Sequence, residues 1–592
     1  MLGRTRSTSL LGGCTVTAMM PAPRFSPNAI RVLERRYLHE GESPEGMLRR
    51  VAAGVAAAEP RYGEDAPRVA ERFYASMARL EFLPNTPTLM NAGRPEGQLA
   101  ACFVLPIDDS LDGIFETLKQ AARIHQSGGG CGYSFSRLRP RNDVVKKTQG
   151  VSSGPVSFMQ VYDAATETIK QGSARRGANM GILRVDHPDI EEFVTAKRRP
   201  GVLTNFNVSV AITDSFMRAV ERGESYALVN PRTGETVGTR QAREVFDLIV
   251  ESAWASGEPG VVFIDRINAD HPTPQVGEIE STNPCGEQPL PAYESCTLGS
   301  IDVSKFDAGG KLERDRLAEA VHLGVRFLDD VIDVNAYPLS EIATATRASR
   351  RIGLGVMGLA DLLALRGVPY DSDEGIAVAE EIATFVQTES KRASRDLTAA
   401  RGVFPAWEGS AYDGPPADAA ATGIHRYRGE KLRNATTTTV APTGTISILA
   451  GCSGGIEPIY ALAFRRNVLD GESLVEVSSA FERVASRQGF DSEALRAHVA
   501  RKGSIRGRAD VPERWQRALV TAPEVSPEWH VKMQAVWQKH VDAGVSKTIN
   551  FPKGATVDDV RRSYLDAYRS GCKGITVYRD GSRGAQVLES GV

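Results

Sequence analysis

Within the stretch STNPCGEQPLPAYESCTLGS, residues 281–300, an amide, a thiol and a carboxylate stand two positions apart: Asn283, Cys285 and Glu287. On extended backbone alternate side chains point the same way, so the three converge on one spot. Pro284 fixes its own φ and biases Asn283 toward extended geometry, while Gly286 lets a partner approach the backbone. A second thiol, Cys296, follows a proline-punctuated bend. Either cysteine taken alone is equally well read as a small buried hydrophobe. Packing, however, does not call for a thiol flanked symmetrically by an amide and an acid.

Two further stretches suit anions. PTGTIS (442–447) combines hydroxyls, a glycine and a run of backbone N–H groups, a credible anion nest. KQGSARRGANMG (170–181) sets Arg175 and Arg176 among small residues, fit to contact anions or nucleobases. The glycine-rich turn GGGCGYSFSRLRP (128–140) has neither the GxGxxG spacing nor a GxxxxGK[ST] ending, and as a nucleotide fingerprint it carries little.

The elements that must hold these groups alternate along the chain. From Pro27 the pattern is helical, and Val69, Phe73, Met77 and Leu80 form one buried stripe, which predicts a small helical domain. LPNTPTLMNAG (83–93) reads as a loop and CFVLPI (102–107) as a short strand, with a helix capped by an Asp following. TNFNVSVAI, VVFI, ATTTTV, KTINFP and GITVYRD read as strands; helices are expected at about 315–333, 374–400 and 557–570. With no obvious linker, one large α/β barrel is preferred over two doubly wound domains.

Composition narrows the function. The 592 residues, 41% hydrophobic and 24% charged with net charge −2, carry no basic footprint for a polynucleotide. No apolar run is long enough to span a bilayer. Seven scattered cysteines are not a disulfide framework; they fit a reducing cytoplasm, where a disulfide is catalytic. No CxxC and no HExxH occurs, so no metal site is expected. The acid-free Arg/Ser/Thr-rich start is expected to be a disordered leader (1–26), and the tail 581–592 to be flexible.

Seven motifs in order, LPNTPTLMNAG, ACFVLPIDDSLDGI, SGGGCGYSFSRLRP, GSARRGANMG, STNPCGEQPL, ESCTLGS and APTGTISILAGCSGGIEP, resemble the catalytic subunit of ribonucleotide reductases, and the overall character is similar to the adenosylcobalamin-dependent class II enzymes. The resemblance implies a ten-stranded α/β barrel with a central finger loop (93–580), preceded by a helical domain (27–92). It implies reduction of ribonucleoside di- or triphosphates to deoxynucleotides. Cys285 would be the hydrogen-abstracting thiyl, Glu287 the general base, Asn283 the amide orienting the ribose hydroxyls, and Cys102 with Cys296 the reducing dithiol. Substrate phosphates would sit on Thr86, Thr443, Gly444, Thr445 and Ile446. A deoxynucleotide or ATP effector would bind Asp109 and Arg139, with Arg175 and Arg176 relaying its identity. A homodimer is implied. No adjacent tyrosines of the kind class I enzymes use as a radical relay and no glycyl-radical signature occur, which leaves adenosylcobalamin as the radical source. Family members commonly end in a cysteine-rich tail that this sequence lacks. A thioredoxin-like reductant is therefore expected to act through a separate cysteine-bearing chain, the alternative being a nucleotide-binding subunit dependent on such a partner.

Overall fold

The computed structural model describes residues 21–95, 97–145, 150–169, 177–418, 420–469, 472–582 and 588–590. It opens with three helices, α1 (Pro27–Arg36), α2 (Pro44–Ala56) and α3 (Ala66–Ala78). Each starts on a hydrogen-bonding cap, Ser26, Ser43 or Asp65, with proline in the first turn, where its missing N–H costs nothing. Residues 21–26, expected to be disordered, are tied down: Ser26 caps α1 and the Pro21 carbonyl accepts from the Tyr74 hydroxyl. Val69, Phe73 and Met77 of α3, and Leu80 just past its end, are buried in one apolar cluster shared with the long helix Arg314–Val334.

We number the strands of the main sheet in chain order: β1 (Phe82–Pro84), β2 (Cys102–Leu105), β3 (Gly130–Ser134), β4 (Asn179–Arg184), β5 (Phe206–Ile212), β6 (Gly260–Phe263), β7 (Ser295–Asp302), β8 (Ile352–Met357), β9 (Thr548–Phe551) and β10 (Gly574–Arg579). Strands β2 to β6 run parallel in succession. β6 meets β10 antiparallel, and β10 runs parallel to β9. β7 is parallel to β8 and antiparallel to β2 and to the short β1. The ring is completed by the threonine run 436–440: Leu354 N donates to Thr437 O at 2.8 Å, Thr439 N to Leu354 O at 3.1 Å and Ser546 N to Val440 O at 2.8 Å. Leaving out the short β1, which pairs farther along β7 than β2 does, nine of these strands and the run make ten staves among the described residues, two parallel blocks joined antiparallel at two seams. β4 and β5 are apolar almost throughout because helices cover the outer face while the finger loop and neighbouring side chains fill the inner one.

Several local expectations change. The 83–93 stretch is not a loop: Phe82–Pro84 pairs with β7, and Asn85 caps a short helix, Thr86–Asn91. The helix Leu111–Gln126 is capped by Ser110 rather than by an Asp. In the tail, Leu588–Ser590 pairs with Arg465 and Arg466 on the strand Ala463–Leu469, which also forms a hairpin with Glu472–Val477.

Candidate active site

The finger loop is a tight hairpin inside the barrel, Ser281–Thr282 pairing with Pro289–Leu290. Its tip is a turn rather than extended chain: Gly286 N donates to Asn283 O at 3.0 Å, and Gly286 adopts φ 81°. The strand walls leave room for it through missing side chains. A Cβ on Gly132 of β3 would lie 1.7 Å from the Thr282 carbonyl oxygen. Asn283 and Glu287 are buried, while Cys285 is exposed at the tip. The turn still brings all three to one place, because each lines the same cavity of about 280 Å³.

Cys102 lines it too. It sits on β2 directly opposite Cys296 on β7, in register as antiparallel partners, a pairing that sets Cα atoms about 4.5–5.5 Å apart and within disulfide range. Asn283 Nδ2 donates to the Cys102 sulfur at 3.1 Å. Burial pushes the Cys102 thiol well up, reinforced by Glu287 and the two neighbouring cysteines and offset by the Asn283 amide. Burial likewise raises Cys296; the Arg351 guanidinium opposes this, and Glu287 and Glu294 add to it. Both thiols are therefore protonated at neutral pH and able to give a proton.

At the opposite rim stands the PTGTIS loop. Thr443 adopts a left-handed φ of 52° and its hydroxyl accepts from Gly455 N at 2.8 Å. Among the described residues no acceptor is found for the backbone N–H groups of Gly444, Thr445 and Ile446, which stand where the helix Ile446–Ala450 begins. The space beside Gly444 is open. Thr86, at the first turn of its helix, lines the cavity from the other side and shares a hydrogen bond of 2.8 Å with the Tyr37 hydroxyl. Arg466 is a contact that sequence reasoning misses: paired with the Glu476 carboxylate at 2.7 Å, it also donates from Nη1 to Gly444 O at 3.4 Å. Nothing in the strand AFRRNVL marks it, since only the hairpin's return over the loop brings it there.

A second cavity, of about 530 Å³, lies beyond the finger tip, so Cys285 stands on the wall of both. It is lined by backbone and apolar side chains of β5, β6, β9 and β10 together with polar ones, among them Asn207, Glu258, Tyr460, Asn550, Lys573 and Tyr578. Buried Lys547 binds the Glu457 carboxylate there at 2.5 Å. Among the described residues no cluster of His, Cys, Asp and Glu could hold a metal ion.

Comparison with known proteins adds the lineage. The family model for the ribonucleotide reductase barrel domain matches residues 100–578, and that for the all-alpha domain matches 23–97. The chain belongs to the ribonucleotide reductase family. Among its relatives, the vitamin B12-dependent ribonucleoside-diphosphate reductase of Thermoplasma acidophilum is 49% identical over 96% of this chain and 72% of its own length. The enzyme of the same name from Mycobacterium tuberculosis (strain CDC 1551 / Oshkosh) is 50% identical over 96% and 81%. The class Id ribonucleotide reductase alpha subunit of Actinobacillus ureae shares the fold, with a TM-score of 0.76 over 94% of this chain and 97% of that one at 23% identity.

The residues expected to read an effector lie elsewhere on this reductase. Asp109 and Arg139 meet as an ion pair, Arg139 Nε lying 3.1 and 3.0 Å from the two carboxylate oxygens, and Arg139 N also donates to Asp109. Asp109 is spoken for by Arg139, so the cap falls to Ser110. Arg175 and Arg176 lie outside the described residues.

Proposed function

We propose that this reductase converts ribonucleoside diphosphates to 2′-deoxyribonucleotides by thiyl-radical chemistry dependent on adenosylcobalamin, for DNA synthesis and repair. The observation that carries this reading is the facing pair Cys102 and Cys296, of which Cys102 lines one cavity with Cys285, Asn283, Glu287 and a free anion nest. The larger cavity on the far side of Cys285 suits a nucleoside-bearing cofactor: its volume falls in the range of cofactor sites and its walls mix apolar side chains with hydrogen-bonding ones. Tyr460, Tyr578 and Asn550 would hold that group, which when bound would supply the radical that draws the hydrogen from the thiol.

The remaining work falls to this chain. The N–H groups of Gly444, Thr445 and Ile446, with Thr86, hold the substrate phosphates. The Cys285 thiyl takes the hydrogen from C3′, and Glu287 accepts the 3′-hydroxyl proton. The 2′-hydroxyl leaves as water on a proton from the Cys102/Cys296 dithiol, which passes two electrons to the sugar and ends as a disulfide. Cys285 then returns its hydrogen to C3′. Burial of both sulfurs keeps a bulky reductant out. A thioredoxin-type protein therefore reaches them through a smaller cysteine-bearing segment, for which we propose a separate chain.

Asp109 and Arg139 are the proposed effector contacts, for ribose and phosphate respectively, with Arg175 and Arg176 relaying the effector's identity. The helix that follows exposes Leu111 and Phe115, 65% and 50% accessible, on one face. That apolar face supports a homodimer formed beside the effector site. No helix among the described residues is long and apolar enough to cross a membrane, and a cytoplasmic location is proposed. The test is deoxynucleotide formation from a ribonucleoside diphosphate with dithiothreitol, with and without adenosylcobalamin. Product only with the cofactor supports the reading; product without it, or none with either di- or triphosphates, overturns it.

A further inference from the structure

The finger tip is suspended between the two blocks of the barrel by side chains to which the reading above gives no catalytic part. On one side Asn207 Nδ2, from β5, donates to the Pro284 carbonyl at 2.8 Å. On the other, Thr439 Oγ1, from the 436–440 stave, donates its one hydrogen to the Glu287 carbonyl at 2.9 Å, sharing it with the Gly544 carbonyl at 3.0 Å, and Gly544 N donates to the Glu287 oxygen at 2.8 Å. The two gripped carbonyls bracket Cys285 and Gly286. The tip is open on one side, where a Cβ on Gly286 would meet nothing within 4 Å, and closely backed on the other, where a Cβ on Gly544 would lie 2.8 Å from the Gly286 carbonyl oxygen. Asn207 is itself an oddity, an exposed amide in a strand otherwise buried, with its side chain turned into the larger cavity.

We propose that Asn207 and Thr439 are positioning residues that clamp the finger tip, holding the Cys285 sulfur on the wall between the two cavities. The inference rests on Cys285 being the hydrogen-abstracting thiol. Hydrogen must reach this sulfur from one cavity and leave it toward the other, so a drift of the tip lengthens one path or both. An amide N–H is needed at Asn207 and a hydroxyl at Thr439. Each has an isosteric replacement lacking the donor, Asp and Val respectively.

The experiment compares the parent chain with Asn207→Asp, Asn207→Ala, Thr439→Val and Thr439→Ser, each checked for cooperative thermal unfolding. Asn207→Asp and Asn207→Ala are expected to lower kcat by about tenfold to a hundredfold, as misplacement of a reacting group by an ångström does. The nucleotide KM and the cobalamin affinity, read by absorbance titration, stay close to the parent's. Thr439→Val falls less, because Gly544 still holds the carbonyl, and Thr439→Ser restores parental turnover. In the cofactor-free protein, Cys285 is alkylated by iodoacetamide faster in the Asn207 variants, a readout independent of turnover. The clamp is overturned if the Asn207 variants match the parent in kcat and in alkylation. It is equally overturned if their loss lies wholly in KM or cobalamin affinity, which would make Asn207 a ligand contact, or if Thr439→Ser falls as far as Thr439→Val. A parent chain that makes no deoxynucleotide refutes the proposed function instead, and the alkylation rates still decide the clamp.

Discussion

In the proposed mechanism, Glu287 is the residue on which the chemistry of the sugar turns. Its carboxylate lies in the same cavity as Cys285, and its main-chain carbonyl is fixed by Thr439 and Gly544. Glu287→Gln keeps the shape and removes the base, so kcat is expected to fall roughly 10²–10⁴-fold while the nucleotide still binds. Parental turnover in the variant would remove Glu287 from the mechanism. Arg139 tests a different site. Its ion pair with Asp109 is part-exposed, and such pairs contribute only ~0–1 kcal/mol to stability. Arg139→Ala should therefore fold normally, keep basal turnover and lose the response of base preference to added deoxynucleotides. If basal activity and effector response fall together, Arg139 is structural. The spacing of Asn283, Cys285 and Glu287 makes their convergence legible from sequence, although the backbone is a turn and not a strand. What the spacing cannot contain is the pressure of the barrel on the loop: the gap left by Gly132 belongs to β3, some 150 residues away in the chain.

At the scale of elements, the antiparallel seam between β2 and β7 makes the dithiol. Because Cys102 and Cys296 are direct partners, turnover without added reductant should stop with one disulfide between them, identified by peptide mapping under non-reducing conditions. A bond from either sulfur to Cys131 or Cys572 instead would contradict the proposed roles. In the reduced protein the buried, upshifted thiols should label with iodoacetamide far more slowly than Cys285 at neutral pH. The strands of this seam are readable from their apolar runs, but their pairing is not. Nothing local in CFVLPI or SCTLGS says that two segments 194 positions apart lie side by side; only the family resemblance carries that. The failure at Asp109 has the same origin. Asp109 and Ser110 are both good capping residues, and a guanidinium thirty positions on claims the first of them. The threonine run 436–440 is legible as β-branched chain, yet its place as the stave that closes the barrel depends on β8 and on residues near Gly544.

Across the whole molecule, the N-terminal helices are fastened to the barrel's outer helices by a buried ionic network. Glu59 accepts from Arg326 Nε at 2.6 Å and from Arg401 Nη2 at 2.8 Å. Arg401 also reaches Asp329 and Asp330 at 2.8 and 2.6 Å, and Arg350 ties Asp329 to Asp333. Burial opposes ionisation of Glu59, but the hydrogen bond from Arg326, that from Asp330 and the charge of Arg401 outweigh it and hold the group at about 2. Burial keeps Asp330, its neighbour, well above the usual carboxylate range, so Glu59 carries the charge and Asp330 the proton. Removing one partner from a buried ionic group costs several kcal/mol, because the other charge stays desolvated. Glu59→Gln is therefore expected to destabilise the protein by about 3 kcal/mol near neutral pH in urea unfolding, the lower end of that range because Arg401 keeps the charged Asp329. The sign of the pH dependence follows from the lowered value. The stabilisation from Glu59 is fully present above its ordinary pKa of 4.5 and is lost as pH falls toward about 2. The gap between parent and variant should thus be constant from neutral pH down to that ordinary value and narrow below it. A gap that widens on acidification, or no gap at neutral pH, would mean that the helices are held by their shared apolar core and not by this network.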